Sequence, residues 1–415
     1  CIFPNEPDLY INLSNVYKLN GDLTKSEVLI RKSLELSPKS HIALSNLSII
    51  LINKYQLIEA EKYALKALEI DQQNSIYHYN LGLIYSKTDR FNSAIIAYKK
   101  ALVFDQTNYA ANLNLGAILL KLNNFEESKK YLEIALSLKI NSYEAEFNLG
   151  QIALFTKKFE TAEKYFRKVS ILSKNNWEIH KYLGIVQFMN SNKEALNNIN
   201  KSIKLNPQKN ISHVLRSVMN SKETSTSLNN HMIVNPHDKF GIKPVILHRE
   251  VDDKLIDTLY KQETLDLNKV DTSNFFGNAI GSNYKVFQER NPVLESLEND
   301  LIKLTSEYFK SDIFIDDSFF RILKGEGRVE KHTHLDNIDR LKKLDLYKNK
   351  FSLVYYLKTG ENNSSEPGFL DFYNPNDKIL PKPGMIIIFP SDRPHSVLYN
   401  GKLDRMIFSI NFYSY

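Results

Sequence analysis

The chain has 415 residues, more than one hydrophobic core normally organises, so at least two domains are expected. Hydrophobic residues make up 42% and charged residues 25% of the sequence, and the formal net charge is +6, which are ordinary values for a globular protein. No apolar run approaches the ~18 residues of a membrane span, and no block of basic and aromatic residues favours nucleic acid, so neither a membrane nor a nucleic acid is an expected partner.

Cysteine usage narrows the chemistry further, because Cys1 is the only cysteine. An intrachain disulfide, a thiolate metal site and a Cys–His catalytic pair are therefore excluded. A reducing compartment fits best, and the cytoplasm is the expected location. The first residue is Cys rather than Met, which leaves open whether a segment precedes it.

The first half of the chain repeats with a period of 34 residues. Six units begin at Pro7, His41, Ser75, Tyr109, Tyr143 and Trp177. The seventh position of each unit is leucine: Leu13, Leu47, Leu81, Leu115, Leu149 and Leu183. The eighth is small: Ser14, Ser48, Gly82, Gly116, Gly150 and Gly184. This spacing predicts two helices per unit, each with an apolar stripe, and the small residues let the two helices approach closely. One pair cannot bury its stripe alone, so the pairs must stack.

This pattern resembles the tetratricopeptide repeat. The resemblance implies an all-α solenoid that mediates assembly or offers a concave groove to an extended peptide. An asparagine recurs at the sixth position of five units: Asn12, Asn46, Asn80, Asn114 and Asn148. These amides are candidates for gripping a peptide backbone through paired donor and acceptor contacts. The alternative is that repeats copied from one ancestor share a surface residue.

The repeat pattern ends near Pro207, and Ile211–Ser221 is predicted as a capping helix. The following stretch is rich in Ser, Thr and Asn and reads as a linker. The predicted domains are therefore 1–221 for the solenoid with its cap, 222–240 for the linker and 241–415 for a second domain.

The second domain changes period. Two helices are predicted first, over Asp252–Gln262 and Pro292–Phe309. Short strands follow, separated by Gly, Pro, Asn and Asp clusters: Ser318–Leu323, Phe351–Lys358, Gly368–Tyr373, Met385–Phe389, Ser396–Tyr399 and Arg405–Tyr413. Helices followed by such strands favour an antiparallel jelly roll with supporting helices. The predicted fold class is thus multidomain α + β.

A candidate metal site lies in this β region. On an extended segment, residues two apart point to the same side, so His334 and Asp336 can present an imidazole and a carboxylate to one point. His395, from a distant strand, would complete a two-His-one-carboxylate face, which leaves open positions on a non-haem Fe(II). His332 creates a second possible register, with His332 and His334 as the pair. We favour His334 and Asp336, because a carboxylate suits the charge of Fe(II).

A candidate anion site accompanies it. Arg405 lies ten residues after His395 on the last predicted strand, where its guanidinium can pair with the far carboxylate of a metal-chelating dicarboxylic acid. A hydroxyl of Tyr355 or Tyr356 can bond the same carboxylate. Ser409 shares the strand face of Arg405 and is a weaker candidate for a third contact.

Three segments, 334–337, 353–357 and 391–395, are similar to the Fe(II)- and 2-oxoglutarate-dependent oxygenases of the prolyl-hydroxylase branch. The resemblance covers roughly residues 317–415. It implies a double-stranded β-helix with Fe(II) and 2-oxoglutarate as cofactors and ascorbate as a supporting reductant. Carried over, His334, Asp336 and His395 hold iron, while Arg405 and Tyr355 hold 2-oxoglutarate. The long polar segment Ile338–Lys350 departs from the pattern and is interpreted as a mobile lid.

The leading functional hypothesis is hydroxylation of a protein or peptide side chain that the repeats recruit. A second hypothesis is an inactive oxygenase fold in a repeat scaffold. A third keeps the enzyme but gives it a small molecule or glycan as substrate. The sequence leaves the substrate open among these.

Overall fold

The computed structural model describes residues 6–225, 243–262, 265–266, 277–282, 285–288, 291–361 and 364–415. The predicted linker, 222–240, lies outside these residues from position 226 onward. The chain divides into two compact units, Cys1–Ile152 and Ala153–Tyr415. The end of the repeat array belongs to the second unit, and the predicted domain bounds stay a prediction. None of the helices in the described ranges has the length and apolar composition that a bilayer crossing requires.

Each of the six 34-residue units forms two helices, which confirms the predicted solenoid. The pairs are α1 (Pro7–Leu19) with α2 (Leu23–Leu36), α3 (His41–Asn53) with α4 (Leu57–Ile70), α5 (Ser75–Lys87) with α6 (Phe91–Phe104), α7 (Tyr109–Lys121) with α8 (Phe125–Leu138), α9 (Tyr143–Phe155) with α10 (Phe159–Leu172), and α11 (Trp177–Met189) with α12 (Ala195–Leu205). A thirteenth helix, α13 (Asn210–Ser225), follows at the position of the predicted cap.

The small residue at the eighth position is required by the close approach of the two helices. A Cβ on Gly116 would lie 2.6 Å from Cγ of Leu132, and a Cβ on Gly184 would lie 2.7 Å from Cδ1 of Ile199. In the first unit the small residue is Ser14, and its Oγ also links the two helices by donating to the Ser26 carbonyl at 2.8 Å. A small residue therefore recurs every 34 residues because the two helices of each unit pack too closely for a larger side chain.

Two of the repeated asparagines link neighbouring repeats. Asn80 is 2% exposed, and its Nδ2 donates to Ser45 Oγ of the preceding unit at 3.0 Å. Asn114 Nδ2 donates to the Tyr79 hydroxyl, again one unit back, at 3.3 Å. At these positions the amide stabilises repeat stacking, and its use in gripping a peptide stays a prediction.

The second unit continues from α10–α13 into an antiparallel β domain. Its helices are α14 (Asp253–Lys261) and α15 (Pro292–Phe309). Its strands are β1 (Val245–His248), β2 (Leu265–Asp266), β3 (Gly277–Gly281), β4 (Ile313–His332), β5 (Lys350–Thr359), β6 (Pro367–Phe372), β7 (Asp377–Ile379), β8 (Met385–Pro390), β9 (His395–Tyr399) and β10 (Arg405–Ser414). The strand order is β1-β8-β5-β10-β4-β9-β6-β7, and off this path β3 pairs with β4 while β2 pairs with β3.

The long strand β4 joins the two faces of this jelly roll. Its first part, Ile313–Leu323, pairs with β10, and its last part, Gly327–His332, pairs with β9. One face of β5 and β10 packs on α14 and α15, through residues such as Tyr355 and Phe408. The opposite face, which includes Tyr356 of β5, forms a second apolar cluster with residues of β6 and β9. We call this second face the barrel interior.

The segment after Asp336, predicted as a mobile lid, is instead packed. Its apolar side chains Ile338, Leu341, Leu344 and Leu346 are all buried. Lys343 Nζ donates to the carbonyl of Phe188 at 2.6 Å, to the carbonyl of Met189 at 3.3 Å and to Ser191 Oγ at 3.0 Å. These acceptors lie at the end of α11, where the negative end of the helix dipole favours a cation. The many polar residues of this segment led to the prediction of a lid, although four of its apolar side chains are buried and one lysine caps α11.

We expect Lys343→Met to lower the free energy of unfolding by about 1 kcal/mol, because a charged donor to three partly solvated acceptors is lost. Lys342→Met is the matched control, since Lys342 is exposed and adjacent. Chemical denaturation of both variants gives the difference. Equal stability of the two variants would show that the Lys343 contacts contribute nothing.

Candidate metal and co-substrate site

Three histidines lie close together where β4 ends and the neighbouring strand β9 begins. His332 is the last residue of β4 and pairs with His395, the first residue of β9. His334 follows two residues later, and its backbone N–H donates to the Ser391 carbonyl at 2.8 Å. One ring nitrogen from each histidine lies within 4.8 Å of the other two, and the Nε2 atoms of His334 and His395 are 3.2 Å apart. The three imidazoles therefore converge on one point.

The other ring nitrogen of each histidine has a partner. His332 Nδ1 lies 2.8 Å from the Glu330 carbonyl, and His395 Nδ1 lies 3.2 Å from the Arg393 carbonyl. A carbonyl accepts only from a protonated Nδ1, which leaves the lone pair on Nε2 free to bind a metal. His334 Nδ1 lies 3.3 Å from the side-chain amide of Asn411.

The surroundings keep these imidazoles neutral. Burial, together with the charge of Arg321, lowers the pKa of His332 to about 4. Burial and His332 lower the pKa of His395 to about 3. Burial also holds the pKa of His334 well below its usual value, with contributions from the two other histidines. Metals bind neutral imidazole, so the cluster is in its ligand form at neutral pH.

Asp336 does not join this cluster. Its Oδ1 accepts the backbone N–H of Ile338 at 2.8 Å and that of Asp339 at 3.0 Å. The carboxylate therefore closes the turn that follows the strand. The structure brings together two of the three predicted ligands, His334 and His395, and supplies His332 rather than Asp336 as the third group.

A buried ion network holds that turn. Lys350 Nζ lies 2.8 Å from Asp339 and 2.7 Å from Asp316, and the Lys350 side chain is 2% exposed. The Tyr413 hydroxyl donates to Asp339 Oδ1 at 2.7 Å, and the Asp336 N–H donates to Asp339 Oδ2 at 2.9 Å. Burial raises the pKa of Asp339 to about 6, with Asp336 adding to the shift and Lys350 opposing it. The sequence analysis did not identify this network.

Arg405 is fully buried on the barrel-interior face of β10. Its Nη1 donates to the Pro367 carbonyl at 3.0 Å. Its Nε and Nη2 are buried and have no hydrogen-bond partner within the described part of the chain. Burial lowers the pKa of Arg405, and the phenols of Tyr356 and Tyr399 oppose the shift. A buried guanidinium with two unsatisfied donors fits a carboxylate ligand.

The two tyrosines of β5 point to opposite faces. Tyr356 lies in the barrel interior, with its ring centroid 5.2 Å from Arg405 Cζ. Tyr355 faces the helices, and its hydroxyl donates to the Glu250 carbonyl at 2.8 Å. The prediction for Tyr355 therefore finds no support in this geometry, because alternation along the strand assigns the Arg405 side to Tyr356. Ser409 lies on the Arg405 face, as predicted, and is 5% exposed.

Arg321 is a site residue that the sequence analysis missed. It is 6% exposed, and its Cζ lies 4.7 Å from the ring centroid of Phe319, whose ring stacks on that of His334. It pairs in register with Ile407, two residues from Arg405. The sequence could have indicated this residue, because Phe319 and Arg321 are two apart on β4 and therefore lie on the same face of the strand.

Gly368 makes room for Arg405. Its φ is +85°, and a Cβ there would overlap Arg405 Nη1. We expect Gly368→Ala to displace the guanidinium and to weaken binding of a carboxylate co-substrate by about tenfold or more, the equivalent of roughly 1–2 kcal/mol of strain. Gly325→Ala is the control, because its Cβ would meet only the Gly401 carbonyl at 3.4 Å. Calorimetric titration with 2-oxoglutarate compares them, and unchanged affinity in Gly368→Ala would contradict the steric role.

A cluster of three histidines and a buried arginine lie within one jelly roll, and these groups suit a metal ion and a carboxylate, respectively. The family model of the 2OG-Fe(II) oxygenase superfamily matches residues 320–413. Tetratricopeptide-repeat models match residues 7–40, 42–71, 76–108, 109–139 and 143–176. The chain thus carries tetratricopeptide repeats and a 2OG-Fe(II) oxygenase domain. No curated protein matches the sequence.

Solved structures similar to the chain are repeat proteins. PilF of Pseudomonas aeruginosa is 20% identical, with a TM-score of 0.45, over 48% of this chain and 92% of its own. YrrB, a TPR protein with an unusual peptide-binding site, is 24% identical, with a TM-score of 0.39, over 47% and 97%. A tetratricopeptide repeat protein from Parabacteroides merdae is 17% identical, with a TM-score of 0.43, over 57% and 99%. At these levels the likeness carries no argument about function.

The residues present fit iron and 2-oxoglutarate. Imidazole nitrogens are suitable ligands for iron, and they also suit zinc, copper and nickel. The unsatisfied Nε and Nη2 of Arg405 supply what the far carboxylate of 2-oxoglutarate requires.

Proposed function

We propose that the chain is an Fe(II)- and 2-oxoglutarate-dependent dioxygenase that hydroxylates a side chain of a protein or peptide recruited by the repeats. One observation carries the proposal. Three imidazoles, of which His395 is buried and the other two are partly buried, converge beside the ends of β4 and β9 in a jelly roll whose interior also holds a buried arginine with two unsatisfied donors. When bound, iron and 2-oxoglutarate would supply, together with O₂, the oxidation in which one oxygen atom converts 2-oxoglutarate to succinate and CO₂ and the other becomes the hydroxyl group of the substrate.

The proposed metal ligands are Nε2 of His332, His334 and His395. His332 takes the place that the sequence analysis gave to Asp336, whose carboxylate is engaged by backbone N–H groups. Three neutral ligands leave the site with the full charge of the metal, which favours chelation by an anionic co-substrate.

Arg405 is the proposed anchor of the far carboxylate of 2-oxoglutarate, with Tyr356 beside it and Ser409 on the same face. The guanidinium is preorganised, because the Pro367 carbonyl fixes Nη1 and the side chain is completely buried. A bidentate contact through Nε and Nη2 fits the geometry of a carboxylate.

A polypeptide substrate is favoured by a contact between the last repeat and the segment that follows Asp336. Lys343, in the segment that follows Asp336, binds the end of α11. The last repeat, this segment and the three histidines belong to one compact unit. A substrate held by repeats of the same chain has a raised effective concentration at the metal.

The proposal is tested by incubating the full chain with Fe(II), 2-oxoglutarate, ascorbate and ¹⁸O₂ in the presence of a tryptic peptide mixture. We expect succinate to form and specific peptides to gain one ¹⁸O atom. An Arg405→Ala chain is the negative control, because it keeps the histidines and lacks the proposed anchor.

Other outcomes favour the alternatives. Succinate formation that rises with small molecules or glycans but never labels a peptide would replace the polypeptide substrate. Failure of the protein to bind either Fe(II) or 2-oxoglutarate would favour an inactive oxygenase fold in a repeat scaffold.

A further inference from the structure

Asn411 lies in the barrel interior between two neighbouring strands. It is 3% exposed and sits opposite Asp317 of β4 and Ser352 of β5. Ser352 Oγ donates to Asn411 Oδ1 at 2.6 Å, and Asn411 Nδ2 donates to Asp317 Oδ1 at 2.8 Å. The same Nδ2 position is 3.3 Å from His334 Nδ1. One buried amide thus links both strands to one histidine of the cluster.

His334 differs from its two neighbours in the kind of partner its Nδ1 has. The Nδ1 atoms of His332 and His395 face backbone carbonyls, which fix the ring tautomer. The Nδ1 of His334 faces a carboxamide, which can present either its oxygen or its NH₂ group. When the amide is turned so that its oxygen accepts from Nδ1–H, the Nε2 lone pair of His334 is free for a metal. In this orientation the NH₂ group donates to Ser352 Oγ, and the oxygen accepts from the protonated form of the Asp317 carboxyl.

Asp317 and Ser352 decide how firmly this amide is held. Each contacts a different end of the Asn411 side chain, so together they fix the plane of the amide in either orientation of its oxygen and NH₂ group. Ser352 is itself held, because its Oγ lies 3.0 Å from Ser391 Oγ. Ser391 also accepts the His334 N–H through its carbonyl. The backbone and the ring of His334 are therefore oriented from the same network.

We propose that Asn411 is the positioning residue of His334: its amide, held by Asp317 and Ser352, orients the imidazole so that Nε2 points to the metal. The inference rests on the proposed metal site. Outer partners of metal-bound histidines commonly set metal affinity, and their loss typically costs roughly 10–100-fold.

The test titrates Co(II) into the full chain and records affinity and the visible absorption spectrum. We expect Asn411→Ala to bind Co(II) about 10–100-fold more weakly, with an altered spectrum, because the His334 ring loses its orientation. Asn400→Ala is the control, since Asn400 is exposed, and its affinity and spectrum should match those of the unchanged chain.

A second pair of variants separates positioning from folding. Asp317→Asn keeps a hydrogen-bonding group opposite Asn411, so its affinity should stay close to that of the unchanged chain. Asp317→Ala removes that group, so its affinity should fall in the direction of Asn411→Ala. This pair decides the matter if Asn411→Ala does not fold.

The outcomes are distinguishable. An unchanged chain that binds no Co(II) and no Fe(II) would refute the proposed function itself. Folded Asn411→Ala with unchanged affinity and spectrum would overturn the positioning role, as would equal affinities for Asp317→Ala and Asp317→Asn.

Discussion

Replacing Arg405 with alanine is expected to abolish 2-oxoglutarate binding while metal binding by the histidines persists. The variant removes the only two donors, Nε and Nη2, that are buried and unsatisfied on this side chain. Loss of two hydrogen bonds with a charged donor, at about 1.5–3 kcal/mol each, corresponds to a roughly 10²–10⁴-fold weaker complex. Calorimetric titration of the metal-loaded chain with 2-oxoglutarate measures the effect, and Co(II) titration verifies that the metal site is intact.

Arg405→Lys separates charge from geometry. It keeps the cation and loses the planar fork, so its affinity should lie between those of the unchanged chain and Arg405→Ala. If Arg405→Ala binds 2-oxoglutarate as well as the unchanged chain, the anchor lies elsewhere. Arg321, the other buried arginine identified in the barrel interior, would then be the residue to replace.

Replacing Lys350 with methionine is expected to cost about 3–5 kcal/mol of unfolding free energy at neutral pH. The ammonium group is buried between Asp339 and Asp316, and its removal leaves the fully buried Asp339 without its cation. Breaking one side of a buried pair has this magnitude because the remaining charge stays desolvated. Urea denaturation at pH 8 measures the loss.

The pH dependence gives this prediction a second check. Asp339 has a raised pKa of about 6 in the folded chain, so its ionised form costs stability above that pH. Without Lys350 that pKa rises further, since the lysine lowers it. The deficit of Lys350→Met should therefore shrink as the pH falls from 8 towards 5.5. Adding Asp339→Asn should recover most of the loss at pH 8, and a pH-independent deficit without such recovery would contradict the ion-pair explanation.

The solenoid was predictable because its physical cause is periodic. Close helix contact demands a small residue once per unit, and stacking demands a leucine once per unit, so 34-residue spacing specifies both helices. The sixth unit shows the strength of this signal. It begins at Trp177, outside the residues that the repeat models match, and it still forms the pair α11 and α12.

The strands and the approximate place of the site were also predictable, since alternation and the two histidine segments are local features. Which side of the sheet each tyrosine faces could not be predicted, because the sequence of β5 alone does not say which of its alternating residues point to the helices. Tyr355 and Tyr356 are both buried and aromatic, so only the packing on α14 and α15 separates them.

The position of Asp336 in the fold could not be predicted from the sequence, for a definite reason. The rule that residues two apart share a side holds along β4 up to His332, where the strand ends. Asp336 lies beyond that end, in a turn closed by its own carboxylate, and long-range partners such as Lys350 and Tyr413 hold that turn. Those partners are distant in sequence, so no local pattern reveals them.

The most direct test of a three-histidine metal site is the Fe(II) affinity of His332→Ala compared with that of Asp336→Asn, measured anaerobically on the full chain. Asparagine keeps an oxygen that can accept the N–H groups of Ile338 and Asp339, so the turn survives in the second variant. We predict that His332→Ala loses Fe(II) binding and that Asp336→Asn retains it. Retention of Fe(II) by His332→Ala together with its loss in Asp336→Asn would contradict this account and establish the carboxylate as the third ligand.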